Sequence, residues 1–155
     1  MSDPTTSANA PAPAGWEFTA AFLLLRLFLG LRTLLAGVDK FEAGGLYSHA
    51  NYVKNMDRMA TGITGASFLP LWMTKLFAGS LGYVLLALGV ALLLGLKTRV
   101  SLVLMGLFYV ALAFGLMAVQ EDQGVAWLGI YVGLVAGALL LVRHDRFALW
   151  PDRRE

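Results

Sequence analysis

The 155-residue chain is 58% hydrophobic and only 14% charged, against about a quarter charged in ordinary globular domains, and its mean hydropathy is +0.68. Four long apolar stretches exclude a soluble globule and make it a polytopic membrane protein. The net charge of +2 comes from basic clusters beside those stretches, which set topology and give no reason to expect nucleic acid; the absence of cysteine excludes disulfides, thiolate metal sites and thiol redox chemistry.

Residues 1–17 are rich in Pro, Ala, Ser and Thr and lack a basic n-region, so they read as a disordered tail and not as a cleaved signal. The membrane domain then occupies 18–150, followed by a short tail, 151–155. Its first span, 18–38, is of bilayer length although it contains Arg26 and Arg32. Arg26, Gly30, Thr33 and Gly37 fall at i, i+4, i+7 and i+11, one helical face. Small residues permit close helix approach, so this face points into a bundle and carries Arg26 with it. Arg32 lies on a different stripe, with Ala36 and Asp39. Along that stripe the rise is too large for an unaided ion pair between Arg32 and Asp39.

The loop 39–70 contains Tyr52, Met56 and Met59 at i, i+4 and i+7, with Lys54, Asn55, Asp57 and Arg58 pointing elsewhere. That pattern predicts a short amphipathic helix on the membrane surface or capping the bundle, broken at Gly62 and Gly65. The second span covers 71–96, with Trp72 and Lys75 at an interface and Gly82 and Gly89 on one face. The turn GLKTR leads tightly into the third span, 100–119, which carries Ala111 and Gly115 as a small pair. The fourth span, 125–142, holds Gly129, Gly133 and Gly137, the strongest packing signal in the chain.

Lys97, Arg99, Arg143, Arg146, Arg153 and Arg154 lie on the side of the termini, against Lys40, Lys54 and Arg58 on the other. This asymmetry predicts cytoplasmic termini and an external 39–70 loop. The fold class is therefore an all-α integral membrane protein: an antiparallel four-transmembrane-helix bundle with a cap helix in its first external loop.

Leu25-Arg26-Leu27, the run Leu35-Ala36-Gly37-Val38-Asp39-Lys40-Phe41 and the run GVALLLGLKTR over 89–99 together resemble the DoxX/DoxD family of small bacterial and archaeal membrane proteins. The likeness in order, spacing and hydropathy spans about residues 22–146. It implies a multi-pass protein of the cytoplasmic membrane of a bacterium or archaeon. It also implies a redox-associated role, one branch resembling the quinone-linked subunit of a thiosulfate:quinone oxidoreductase. Many family members carry a glutamate in the second helix; here that register holds Leu85, with Ser80 and Tyr83 the nearest polar groups.

No predicted span contains Asp or Glu, so Arg26 has no evident carboxylate partner within the bundle. An unpaired guanidinium could hold a quinone carbonyl or an oxyanion such as thiosulfate; alternatively, Arg26 snorkels to headgroups or ties helix ends through backbone carbonyls. Arg32, Asp39 and Lys40 form either an anion-binding vestibule at the outer mouth or a charge cluster pinning the loop. Tyr47, Tyr52, Tyr83 and Tyr109 are candidate donors to a quinone oxygen, or packing residues with one satisfied hydroxyl. His49 and His144 fall in separate loops and make a poor haem or metal pair, and the six methionines read as gap-filling apolar residues.

Two functions follow. One is a quinone-interacting subunit of an oxidoreductase, with quinone as its noncovalent cofactor and lipids and membrane subunits as partners; it is not a self-sufficient redox enzyme. The other is a non-catalytic accessory subunit that stabilises a larger membrane complex. A transporter is disfavoured, because the chain has no inverted repeat and no embedded acidic relay.

Overall fold

In lipid, backbone groups must be satisfied within each segment, which makes long apolar runs helical. The computed structural model describes residues 15–145 and 147–150. Most of the N-terminal tail, the C-terminal tail, and Arg146, Arg153 and Arg154 of the charge count lie outside the described residues. Five α-helices account for the architecture: α1 Trp16–Val38, α2 His49–Ala66, α3 Leu71–Leu94, α4 Thr98–Ala118 and α5 Asp122–Leu141. All but α2 are long and apolar enough to cross a membrane. The chain is thus an all-α, four-span membrane protein, as expected.

The spans are not packed evenly. α1 lies mainly along α3 and α4 along α5, with α2 laid over α3 and a thinner seam between α3 and α4. The small-residue face of α1 behaves as the register predicts: Arg26, Gly30, Thr33 and Gly37 are all buried. A Cβ on Gly89 of α3 would meet the Leu34 backbone at 2.7 Å, and one on Gly30 or Gly37 would press on Leu93 or Leu86. These glycines let two helix backbones approach without obstruction, and dispersion contacts replace the hydrophobic drive that lipid removes.

The glycines of α5 behave otherwise. Among the described residues nothing lies within 4 Å of a Cβ placed on Gly129, Gly133 or Gly137, so this repeat packs against none of the described helices. α4 docks through the other side of α5, where Val135 and Ala138 are buried. The repeat marks an outward face because, among the described helices, α5 packs mainly against α4 and α1.

The 39–70 loop is more ordered than its composition suggests. After a 3-10 turn, Asp39–Phe41, a two-residue hairpin pairs Glu42 with Tyr47 and Ala43 with Leu46. Gly44 and Gly45 close it at φ 62° and 80°, the backbone that a tight hairpin turn requires and that Gly-Gly supplies. The Ser48 hydroxyl accepts from the Asn51 N–H and caps α2. Tyr52, Met56 and Ala60 are the buried stripe of this cap helix. Gly62 and Gly65 do not end it, contrary to their helix-breaking reputation; the helix runs on to Ala66. Ile63 is held against the bundle, and the cost of a helical glycine is only about 1 kcal/mol.

Candidate functional site

Two polar constellations interrupt the apolar bundle, and they lie at opposite ends. At the end bearing the α3–α4 turn, the last carbonyls of α3 have no helical partner, and such groups need donors when buried. Arg26, 4% exposed, serves two of them: Nε donates at 2.8 Å to Leu92 O, which also accepts from the Gly95 N–H at 3.2 Å, and Nη2 donates to Leu93 O at 2.9 Å. Nη1 pairs with Asp145 Oδ1 at 2.9 Å, and Thr98 Oγ1 donates to Asp145 Oδ2 at 2.6 Å. Gly95 turns the chain at φ 70°, where a Cβ would meet Arg26 Nη2 at 2.6 Å and Ala148 Cα at 2.8 Å. The chain beyond Asp145 is strapped across this turn by Leu149 N–H to Leu94 O, Trp150 N–H to Gly95 O and Lys97 N–H to Trp150 O. One ion pair therefore joins α1, the end of α3, the start of α4 and the segment after α5.

This arrangement corrects the expectation that Arg26 lacks a carboxylate partner. The partner is not in any span; Asp145 follows the 3-10 turn Val142–His144 and folds back under α1. The Arg26 guanidinium lies at the end of α3. It sits level with Leu92 and Leu93, the last residues but one or two of α3, so the start of α1 projects past the α3–α4 turn. With Nε, Nη1 and Nη2 all engaged by protein, Arg26 caps a helix and clamps a tail.

Toward the cap end, a cavity of about 490 Å³ opens between the α1–α3 and α4–α5 pairs, beneath α2. Leu81 and Leu85 of α3, Leu112 and Leu116 of α4, and Met59 and Ile63 of α2 give it apolar walls. Arg32 and Lys40 from α1 and the turn after it, Tyr109 from α4, and Tyr131 from α5 supply polar atoms. Among the described lining residues there are two cations and no carboxylate. Arg32 Nε donates to Tyr131 Oη at 3.0 Å, and the guanidinium carbon lies 5.4 Å from that ring's centroid. The terminal nitrogens of Arg32 have no protein acceptor among the described residues. Tyr109 Oη and Thr33 Oγ1 are 2.6 Å apart, and Thr33 Oγ1 also donates to Leu29 O at 2.6 Å. Arg32 and Trp127 are exposed as well as lining, so they bracket the cavity's opening on the bundle surface.

The candidate residues read from the sequence thus separate. Arg32 and Lys40 share the cavity; Arg26 belongs to the clasp; Asp39 is exposed at the end of α1 and does not line the cavity. Tyr83 belongs to neither, being stacked edge-on against Phe41 and Tyr52 on the cap side. There Tyr52 Oη donates to Gly79 O at 2.7 Å and accepts from the Gly82 N–H at 3.2 Å. Burial pushes the Tyr52 phenol above its ordinary range; the Gly82 N–H works against that shift and Tyr83 adds to it. His49 opens α2 while His144 lies beside Phe18 at the clasp end, and no cluster of metal-ligating residues occurs among the described residues.

Tyr131 and Trp127 are the cavity residues that sequence reasoning missed. Their signal was available: Gly124, Trp127, Leu128 and Tyr131 recur at i, i+3, i+4 and i+7, a face of α5 distinct from its glycine stripe. Leu85, which the sequence singled out in the second span, is buried in the cavity wall.

The comparison with family models matches residues 21–119 to DoxX. No curated protein and no solved structure matches the chain. The matched region contains Arg26, Gly95 and Thr98 of the clasp and Arg32, Lys40, Leu85 and Tyr109 of the cavity, and covers well over half of the sequence. The chain belongs to the DoxX family of membrane proteins.

Proposed function

We propose that the cavity binds the head group of a membrane quinone and that the chain serves as the quinone-interacting subunit of a membrane redox system, in the manner of the DoxD-like branch. The observation that carries this reading is the pairing of apolar walls with Arg32 and Tyr131 in a cavity of about 490 Å³. That size falls within the range of small-molecule sites, which are largely apolar with a few convergent polar groups. The residues fit such a group: leucines and methionine against the ring, Arg32 N–H and Tyr131 O–H toward an electron-rich oxygen, and the Arg32–Trp127 opening for an apolar tail. The bound quinone would supply the two-electron chemistry, while this chain orients it and excludes water. The electron donor then comes from a partner subunit, and cytoplasmic termini in a bacterial or archaeal inner membrane complete the proposal.

The test is quinone retention on extraction in mild detergent, measured by mass spectrometry. Arg32→Leu is expected to reduce retention at least tenfold, whereas Asp39→Asn leaves it unchanged. Retention unaffected by Arg32→Leu, in a variant that keeps its helicity, refutes the assignment. The accessory-subunit reading has its own support in the open face of Gly129, Gly133 and Gly137. Under that reading, native purification yields a larger assembly that Gly133→Leu disrupts, with no quinone requirement.

A further inference from the structure

The protons of the two cavity tyrosines are directed differently, and hydrogen-bond geometry alone decides how. Thr33 has one hydroxyl proton, and both its 2.6 Å contact with Leu29 O and its longer 3.6 Å contact with Met105 Sδ can only be donations, since a carbonyl and a thioether only accept. The 2.6 Å contact between Thr33 and Tyr109 must then be a donation from Tyr109. Tyr109 thus has its proton committed to protein and can offer a ligand only an oxygen lone pair. Tyr131 is the reverse. Its oxygen accepts from Arg32 Nε at 3.0 Å, an atom that can only donate, and its own proton has no protein acceptor among the described residues. The two partners, Arg32 and Thr33, are neighbours on α1, and the tyrosine ring centroids lie 5.8 Å apart. The cavity therefore sets a hydroxyl acceptor beside a hydroxyl donor and a guanidinium.

We propose that this site selects a head group bearing a hydroxyl over one bearing only a carbonyl: the reduced, hydroquinone form of its ligand rather than the quinone. A hydroquinone oxygen accepts from Tyr131 and Arg32 and donates its proton to Tyr109; a quinone oxygen can make the first contacts and leaves the Tyr109 lone pair unanswered. The inference rests on the quinone reading of the cavity and adds the oxidation state that it holds best. One net hydrogen bond separates the two forms, so the preference is about tenfold.

The experiment is anaerobic titration calorimetry of the full chain in detergent with duroquinol and duroquinone, one ring in two oxidation states. Wild type is expected to bind the quinol about tenfold more tightly. Tyr109→Phe removes that excess and leaves quinone affinity in place. Thr33→Val, of nearly the same shape, releases the Tyr109 proton into the cavity and moves the preference toward the quinone; it serves as the test should the first variant fail to fold. Equal wild-type affinities, or a quinol preference that survives either substitution in a folded protein, overturn the inference while the quinone reading stands. Binding of neither probe overturns both.

Discussion

Removing the carboxylate of Asp145 is the most direct test of what holds the bundle together. In Asp145→Ala, Arg26 Nη1 loses its 2.9 Å partner and Thr98 its 2.6 Å acceptor, while Nε and Nη2 stay tied to Leu92 and Leu93. The side chains of Arg26 and Asp145 are only 5% and 8% exposed, so solvent cannot take the place of the lost partner. Breaking a buried pair from one side costs roughly 3–5 kcal/mol, most of it the uncompensated charge left behind. For a chain of this size that corresponds to a fall in Tm of roughly 6–20 °C. Thermal melts in detergent, followed by circular dichroism, read the change. The double variant Arg26→Met with Asp145→Leu is expected to recover more than half of the loss, because neither charge then remains buried. A Tm for Asp145→Ala within about 2 °C of wild type, or a double variant as unstable as the sum of the singles, would refute the clasp as a coupled unit.

Two further outcomes follow from packing and burial. Gly89→Ala is expected to destabilise the isolated chain by about 1–3 kcal/mol, because the new methyl meets the Leu34 backbone at 2.7 Å. Gly133→Ala, with nothing within 4 Å, is expected to be neutral or to stabilise by up to about 1 kcal/mol through helix propensity; melts that rank the two the other way contradict the assigned faces. For Tyr52, the raised folded pKa means that the native cap favours the neutral phenol. Its stability contribution is complete below the unfolded value of about 10 and is lost as pH rises through the folded value, because the unfolded chain ionises first. Alkaline release of α2, read by proteolysis of the loop and by phenolate absorbance, should therefore be shifted in Tyr52→Phe. An unchanged profile removes Tyr52 from the docking of the cap.

Much of the architecture was legible in residue order. Four apolar runs of bilayer length, short turns between the last three and a stripe at i, i+4 and i+7 in the loop determine the spans, their antiparallel sense and the cap helix. The inward face of α1 is equally local, since helical register alone places Arg26, Gly30, Thr33 and Gly37 together. Which face of α5 meets its neighbours was not legible. Both the glycine stripe and the Trp127–Tyr131 face are regular, and only the positions of α4 and α1 decide between them. The partner of Arg26 was hidden for the same reason. Asp145 lies 119 residues away in a segment with no periodicity, and a reversal of the chain brings it beneath α1. Periodicity reports the direction of a side chain relative to its own helix axis. What stands opposite it, a carboxylate, a cavity or lipid, depends on how separate helices and the segments after them come together, and here that decided the different fates of two arginines six residues apart on one helix.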